Sequence, residues 1–494
     1  MTGVGVASPP ARAAATTIAR NFTSLMLGRF GSQALSFVAN AYLARRIAPA
    51  GFGAIGLAQS VLGYLGLFSD SGLSIIAVRE GAQHPSQIRQ LIGSITGLRL
   101  LLTCALVPIG LLGAGFLPFS ESSRAVLRVF ALSLPFQALA VDWVFRALQR
   151  MHYAAITQVA TAALTLVLTV AFVRNPDHLL RVPWIGLVTG ACALVLSLHL
   201  LTKAGQRLTL TFHLRDSLHY LAQSLPLCAA NFAVTLYMQA NYLIVGKVRG
   251  DAEVGLYASA AKVAGVFFTV TWLYYAALAP ALMEVYARCQ RSAAAMLGES
   301  VRLTAAAGCG LAAVGAVASG LVMDRVFGPA FSPAKSALEV MLLSGAVVAV
   351  THNWAQLAVA ARRERLILVA TALGGVANLV VCGMLVGRIG GFGAAIGTLV
   401  AEVVVGAVLI LAWPPEFGLR ALRPAAMPTA IAVVSWVLGM QFAARGRLAA
   451  SCATAVLYGA GLVLTGTVGF RDWERVRTAL RKQTRFTDER CELE

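Results

Sequence analysis

Apolar runs of about 20 residues, the length that carries a helix across ~30 Å of hydrocarbon, recur from one end of this chain to the other. They fall near 22–44, 53–78, 91–117, 125–148, 154–173, 183–202, 221–246, 254–286, 300–322, 334–360, 366–386, 391–412, 425–443 and 448–468. No connection between them is long enough to be a domain of its own. The pattern predicts an all-α polytopic membrane protein with about 14 transmembrane helices. Composition agrees: the 494 residues are 58% hydrophobic and 12% charged, against about 25% charged in ordinary soluble domains.

The net charge of +19 could suggest nucleic acid, but the basic residues stand singly and in pairs between apolar runs. That distribution describes membrane topology, and nucleic acid is not expected as a partner. With the N-terminus in the cytoplasm, about 24 Lys and Arg lie inside, about 13 outside and about three within spans. Most of the contrast comes from the tail RDWERVRTALRKQTRFTDER and from clusters such as Arg362, Arg363 and Arg365. Both termini are therefore expected in the cytoplasm. The N-terminus lacks the apolar core and cleavage site of a signal peptide. The eight cysteines are scattered without metal spacing and are read as small apolar packing residues.

The chain also carries an internal repeat. RAVLRVFALSLPFQALAVDWVFRALQR from Arg124 matches KSALEVMLLSGAVVAVTHNWAQLAVAA from Lys335 without gaps, bringing Leu127 onto Leu338, Ser133 onto Ser344 and Trp143 onto Trp354. GFGAIGLA from Gly51 similarly matches EVGLYASA from Glu253. Both matches keep orientation by helix number. They imply two six-helix lobes related by an axis along the membrane normal, followed by a C-terminal helix pair. The expected organisation is a tail at 1–21, an N-lobe at 22–202, a linker at 203–220, a C-lobe at 221–412, two helices in 425–468 and a basic tail at 469–494.

The run LARRIAPAGFGAIGLAQSVLGYLGLFSDSGLSIIAVRE (43–80) resembles the opening helices of the polysaccharide transporter family of the O-antigen flippase type. NYLIVGKVRGDAEVGLYASAAKV (241–263) resembles the matching segment of that family's second lobe, and GPAFSPAKSALEVMLL (328–343) its tenth helix. Ala48 and Ser71 depart from the family pattern, but neither change touches a charged position. The resemblance implies a monomeric flippase in the bacterial inner membrane, without cofactors or metal. It would move an undecaprenyl-pyrophosphate-linked oligosaccharide by alternating access, for surface or exopolysaccharide synthesis. It further implies membrane lipids, a polysaccharide polymerase and export machinery as partners. A multidrug exporter and a lipid II flippase share the fold, so fold alone does not separate them. A membrane glycosyltransferase or polymerase would need a large extramembrane loop or an acidic catalytic motif; the chain shows neither and is not expected to be an enzyme.

A pyrophosphate head group needs fixed cations and hydrogen-bonding walls inside the membrane. Basic residues there are rare and costly, and Arg29, Arg99 and Lys262 fit. Ser24, Gly28, Ser32, Ser36 and Asn40 repeat every four residues beside Arg29 and Gln33, either as a polar wall or as a close-packing stripe. Asn231, Thr235, Gln239 and Tyr242 form a second polar edge. The expected substrate contacts are thus Arg29, Gln33, Asn40, Arg99, Asn231, Gln239 and Lys262. The aromatics of TWLYYA (271–276) read first as core or lipid-facing rings. Glu402, with no basic residue within a turn, is the expected ion-coupling carboxylate. Asp142 is a second, although Arg146 four residues on offers it a helical ion pair. Asp70 stands in an apolar run before Ser71 and Gly72; the three predict a helix break, with Asp70 capping the helix that restarts.

Overall fold

The computed structural model describes residues 11–209, 214–442 and 446–467. The tail 469–494, residues 1–10 of the N-terminal tail and residues 210–213 of the linker lie outside the described residues. The described residues contain helices and turns but no strand. Among the described residues, eleven helical runs are long and apolar enough to cross a membrane, or twelve when the bent pair Ser217–Ala229 and Val234–Arg249 (44°) counts as one span.

Two of these runs are hairpins. Helix α1 (Ala11–Asp70) folds back at Ala48, where φ is 58° beside Pro49. Its two arms place Asn40 and Gln59 on one small cavity, which a continuous helix would hold ~28 Å apart. Pro49 explains the location, since proline removes a backbone donor and biases its predecessor away from helical geometry. Helix α13 (Glu364–Leu411) turns at Ile389 and Gly390. Gly374 packs on Ala401 and Val405, Gly397 on Asn378 and Cys382, and Gly393 on Leu385, the register of an antiparallel pair. The expected figure of fourteen counts each hairpin arm as a separate crossing.

The remaining elements are α2 (Leu73–Gln83), α3 (Ile88–Gly113), α4 (Glu121–Ala131), α5 (Leu134–Ala138), α6 (Asp142–Ala147), α7 (Met151–Phe172), α8 (Arg181–Lys203), α9 (Leu214–Arg249), α10 (Asp251–Arg288), α11 (Gln290–Val322), α12 (Lys335–Ala360), α14 (Leu419–Leu422), α15 (Ala426–Met440) and α16 (Arg447–Leu464). The apolar run 125–148, expected as one helix, is divided among α4, α5 and α6, with Pro135 at the start of the middle piece. The C-terminal pair docks on α11: Tyr458 covers Gly310 and donates its hydroxyl to the Ala306 carbonyl at 2.7 Å.

The turns at Ala48, Gly250, Gly328 and Gly390 gather on one face, here called distal. Arg45 donates to the Val326 carbonyl at 2.9 Å, and the amide of Gly391 donates to Glu253 at 2.7 Å. Asp251 accepts from the hydroxyls of Ser120 and Ser123. Gly53 and Gly255, matched by the repeat, touch here. A Cβ on Gly53 would lie 2.7 Å from the Gly255 nitrogen, and one on Gly255 would run into the Pro49 carbonyl oxygen. Only glycine permits that approach.

Under this crossing lies one apolar core built from both halves of the chain, with Phe52, Leu57, Val254, Phe327, Phe331 and Val386 buried in it. Toward the opposite, proximal face the halves keep separate cores. One is centred on Trp143 and Phe145, the other on the repeat-matched Trp354 with Leu357 and Leu409. The molecule is thus sealed by shared packing distally, whereas proximally the two cores are separate and the halves meet chiefly where α9 lies against the end of α1 and the start of α2.

Candidate functional site

Three of the expected contact residues meet in one place. Asn40 on the first arm of α1, Gln239 on α9 and Lys262 on α10 line a cavity of about 130 Å³ between the two halves. Gln59 and Ser60 on the second arm of α1 line it as well, together with Tyr242 and the apolar floor of Phe52 and Ile55. Lys262 is the sole charged residue among the lining side chains, and no carboxylate is among them. The walls supply amide and hydroxyl groups, so the cavity is suited to an anion carrying hydrogen-bonding substituents. Gln59 and Ser60 were missed from the sequence. Their signal was a polar pair in the middle of an apolar span, in LAQSVLG.

Arg29 lies eleven residues before Asn40, ~16 Å farther toward the proximal face at 1.5 Å per residue. Its guanidinium sits 4.4 Å from the ring centroid of Trp272 on α10. The side chain is exposed and, among the described residues, no carboxylate lies within ion-pair distance of it. Gln33, one turn on, is half-buried and does not line the cavity. Asn231 is also half-buried, beside the bend in α9 and away from the cavity.

Arg99 differs from its expected place. It is 7% exposed and faces the interior of the first half. Its terminal nitrogens donate to the carbonyls of Gln137 (2.9 Å) and Ala140 (3.1 Å), and its Nε lies 3.3 Å from Asp70. The Ala140 carbonyl lies in the interrupted stretch between α5 and α6, and the Gln137 carbonyl, near the end of α5, also accepts from the Ala140 amide at 3.2 Å. The arginine thus serves backbone rather than cavity.

The helix break near Asp70 lies at Ser71 and Gly72, both with positive φ, between α1 and α2. Gly72 is needed for its φ of 76° and because α9 passes close: a Cβ would meet the Ser224 carbonyl at 3.2 Å and the Cys228 nitrogen at 3.3 Å. The capping expectation is corrected. Gly72 is the N-cap of α2 and no side chain caps it; the Asp70 carboxylate instead accepts from the Ser74 hydroxyl and faces Arg99.

Asp142 opens α6 without an ion pair to Arg146 inside 4 Å, although both Arg146 and Arg99 act on it electrostatically. Glu402 is 5% exposed on the second arm of α13. A further buried network joins Asn241, Tyr257, Asn378 and Thr398 across α9, α10 and both arms of α13. No group of three or more potential metal ligands occurs among the described residues.

The fold is similar to that of a lipid II flippase MurJ in an inward closed conformation, with a TM-score of 0.73 at 11% identity over 91% of this chain and 99% of that one. It is also similar to an inward-facing multidrug resistance MATE family transporter of the MOP superfamily, with a TM-score of 0.60 at 13% identity, covering 81% and 96% of the two chains. A third similar structure is a MOP superfamily transporter from Pyrococcus furiosus, with a TM-score of 0.52 at 13% identity, covering 84% and 96%. These relatives in fold are flippases and transporters rather than enzymes. No curated protein matches the chain by sequence. The family model described as "Polysaccharide biosynthesis protein" matches residues 18–285, more than half of this multi-pass membrane protein, and the chain belongs to that family.

Proposed function

We propose that this protein is a flippase for an undecaprenyl-pyrophosphate-linked oligosaccharide, working by alternating access in the bacterial inner membrane. The observation that carries the reading is the cavity between the halves, with one cation, several amides and hydroxyls, and no carboxylate. A pyrophosphate needs that cation, and sugar hydroxyls need those walls. An organic-cation exporter would favour the opposite charge. In this reading Lys262 and Arg29 meet the pyrophosphate, Asn40, Gln59 and Gln239 meet the sugars, and the distal seal opens once the proximal side has closed.

The orientation proposed has fourteen crossings, with the distal face in the periplasm and both termini in the cytoplasm. Reporter fusions after residue 215 and at the C-terminus should both report cytoplasm; a periplasmic C-terminus would refute the count. For activity, the purified chain in proteoliposomes should move a fluorescent undecaprenyl-pyrophosphate oligosaccharide between leaflets faster than empty vesicles. Unchanged leaflet exchange, with the protein shown folded and inserted, would overturn the reading.

A further inference from the structure

Helices α1 and α10 run antiparallel past one another and meet at two levels. Near the cavity Asn40 faces the same space as Lys262. At the second level Arg29 stacks on Trp272. The first pair is separated from the second by eleven residues on α1 and ten on α10, ~15–16 Å on each helix. The two pairs are therefore rungs of one seam, and the Arg29–Trp272 rung spans it on the proximal side of the cavity.

That rung joins the two halves on the α1–α10 side; on the other side α9 lies against the second arm of α1, with Phe232 on Phe68 and Cys228 beside Gly72. Trp272 is 48% exposed, so it is not held by a core, and its ring is free to accept a guanidinium. Arginine over an indole face is the strongest common form of cation–π contact, yet it is far weaker than a guanidinium on a multiply charged phosphate. Stacking uses the guanidinium face and phosphate its edge, so the two conflict through position. The Trp272 ring lies ten residues, ~15 Å, proximal to Lys262 on α10, and reaching toward an anion held at Lys262 carries the guanidinium off the ring.

We propose that Trp272 is a built-in competitor for Arg29: it occupies the guanidinium in the empty protein and ties α1 to α10 below the cavity. An arriving pyrophosphate takes Arg29 from the ring and releases the tie. Recognition of the anion and release of the seam then become one event. The inference rests on the proposed anionic cargo, and it adds a residue whose removal strengthens anion binding rather than weakening it.

The test uses full-length protein in nanodiscs, with spin labels introduced at Leu27 and Met283 and geranyl pyrophosphate as the probe. In ligand-free protein, Trp272→Ala should lengthen or broaden the distance between the labels, as saturating geranyl pyrophosphate should in the unsubstituted chain. Trp272→Ala should also tighten geranyl pyrophosphate binding by about two- to fivefold, the range of an exposed cation–π contact, with Trp272→Phe falling between. An unchanged distance in Trp272→Ala overturns the tie. Weaker binding overturns the competition and makes Trp272 a ligand contact instead. Failure of both proteins to bind the probe overturns the pyrophosphate reading and the release step with it, while the ligand-free distances still judge the tie.

Discussion

Asp70 and Arg99 stand 3.3 Å apart at the meeting point of two interrupted spans. Asp70 ends α1 at the Ser71–Gly72 break, and Arg99 reaches on to the carbonyls of Gln137, near the end of α5, and of Ala140, in the break before α6. One guanidinium thereby serves a carboxylate and two backbone acceptors that lipid could not satisfy.

Removing Arg99 should consequently act on folding before transport. The Ala140 carbonyl would be left without a donor, at a cost of about 1–3 kcal/mol, so Arg99→Leu should lower thermal stability in detergent and abundance in the membrane. Arg99→Lys should recover part of this, because an ammonium cannot span both carbonyls and the carboxylate at once. Asp70→Asn keeps the acceptor for Ser74 and should be milder than Asp70→Leu. Normal abundance of Arg99→Leu with selective loss of transport would return Arg99 to the cargo path.

At the distal crossing, Gly53 and Gly255 should tolerate no side chain. A Cβ on either would run into backbone, which cannot rotate away, and overpacking of this kind typically costs about 1–3 kcal/mol. Because the clash exists only while the distal face is closed, Gly255→Ala should shift the population toward a distally open form. A cysteine pair bridging the Ser120 and Asp251 loops should cross-link less efficiently in that variant than in the parent; equal cross-linking would show that the crossing is not the hinge of closure.

How much of this could be read from the sequence depends on the distance over which each feature is encoded. The spans were legible because a 20-residue apolar run is a local property, and so was the break at Gly72. Asn40, Gln239 and Lys262 stood out because polar groups within spans are costly. The Arg99–Asp70 and Arg29–Trp272 relationships were not legible: their partners are 29 and 243 residues apart, and each residue alone fits several roles. Repeat matching placed Gly53 on Gly255 but could not show that equivalent positions touch, which requires knowing that they lie at the junction of the halves.

Glu402, expected from the sequence to couple transport to an ion, is 5% exposed on the second arm of α13. Glu402→Gln keeps size and hydrogen-bonding capacity but cannot ionise. If the carboxylate couples cargo to an ion, this variant should reach the membrane normally, and its translocation in proteoliposomes should no longer respond to an imposed ion gradient. A response equal to that of the parent would reassign Glu402 to structure.

Lys262 provides the sharpest test of the cavity, because it is the only charge among the side chains lining it. Lys262→Gln removes the cation but leaves an amide that can still hydrogen-bond sugar hydroxyls. Glycan translocation should therefore fall at least tenfold, about 1.4 kcal/mol or more in the apparent affinity for the lipid-linked substrate, without loss of abundance. Lys262→Arg restores charge in a bulkier, planar form and should recover activity partially, since its fork places the donors differently from a single ammonium. Lys262→Glu reverses the sign and should exclude the pyrophosphate altogether. The order parent, Arg, Gln, Glu is the signature of an electrostatic contact with an anion; equal loss in the Arg and Gln variants would instead mark Lys262 as a packing residue whose shape, not charge, is required.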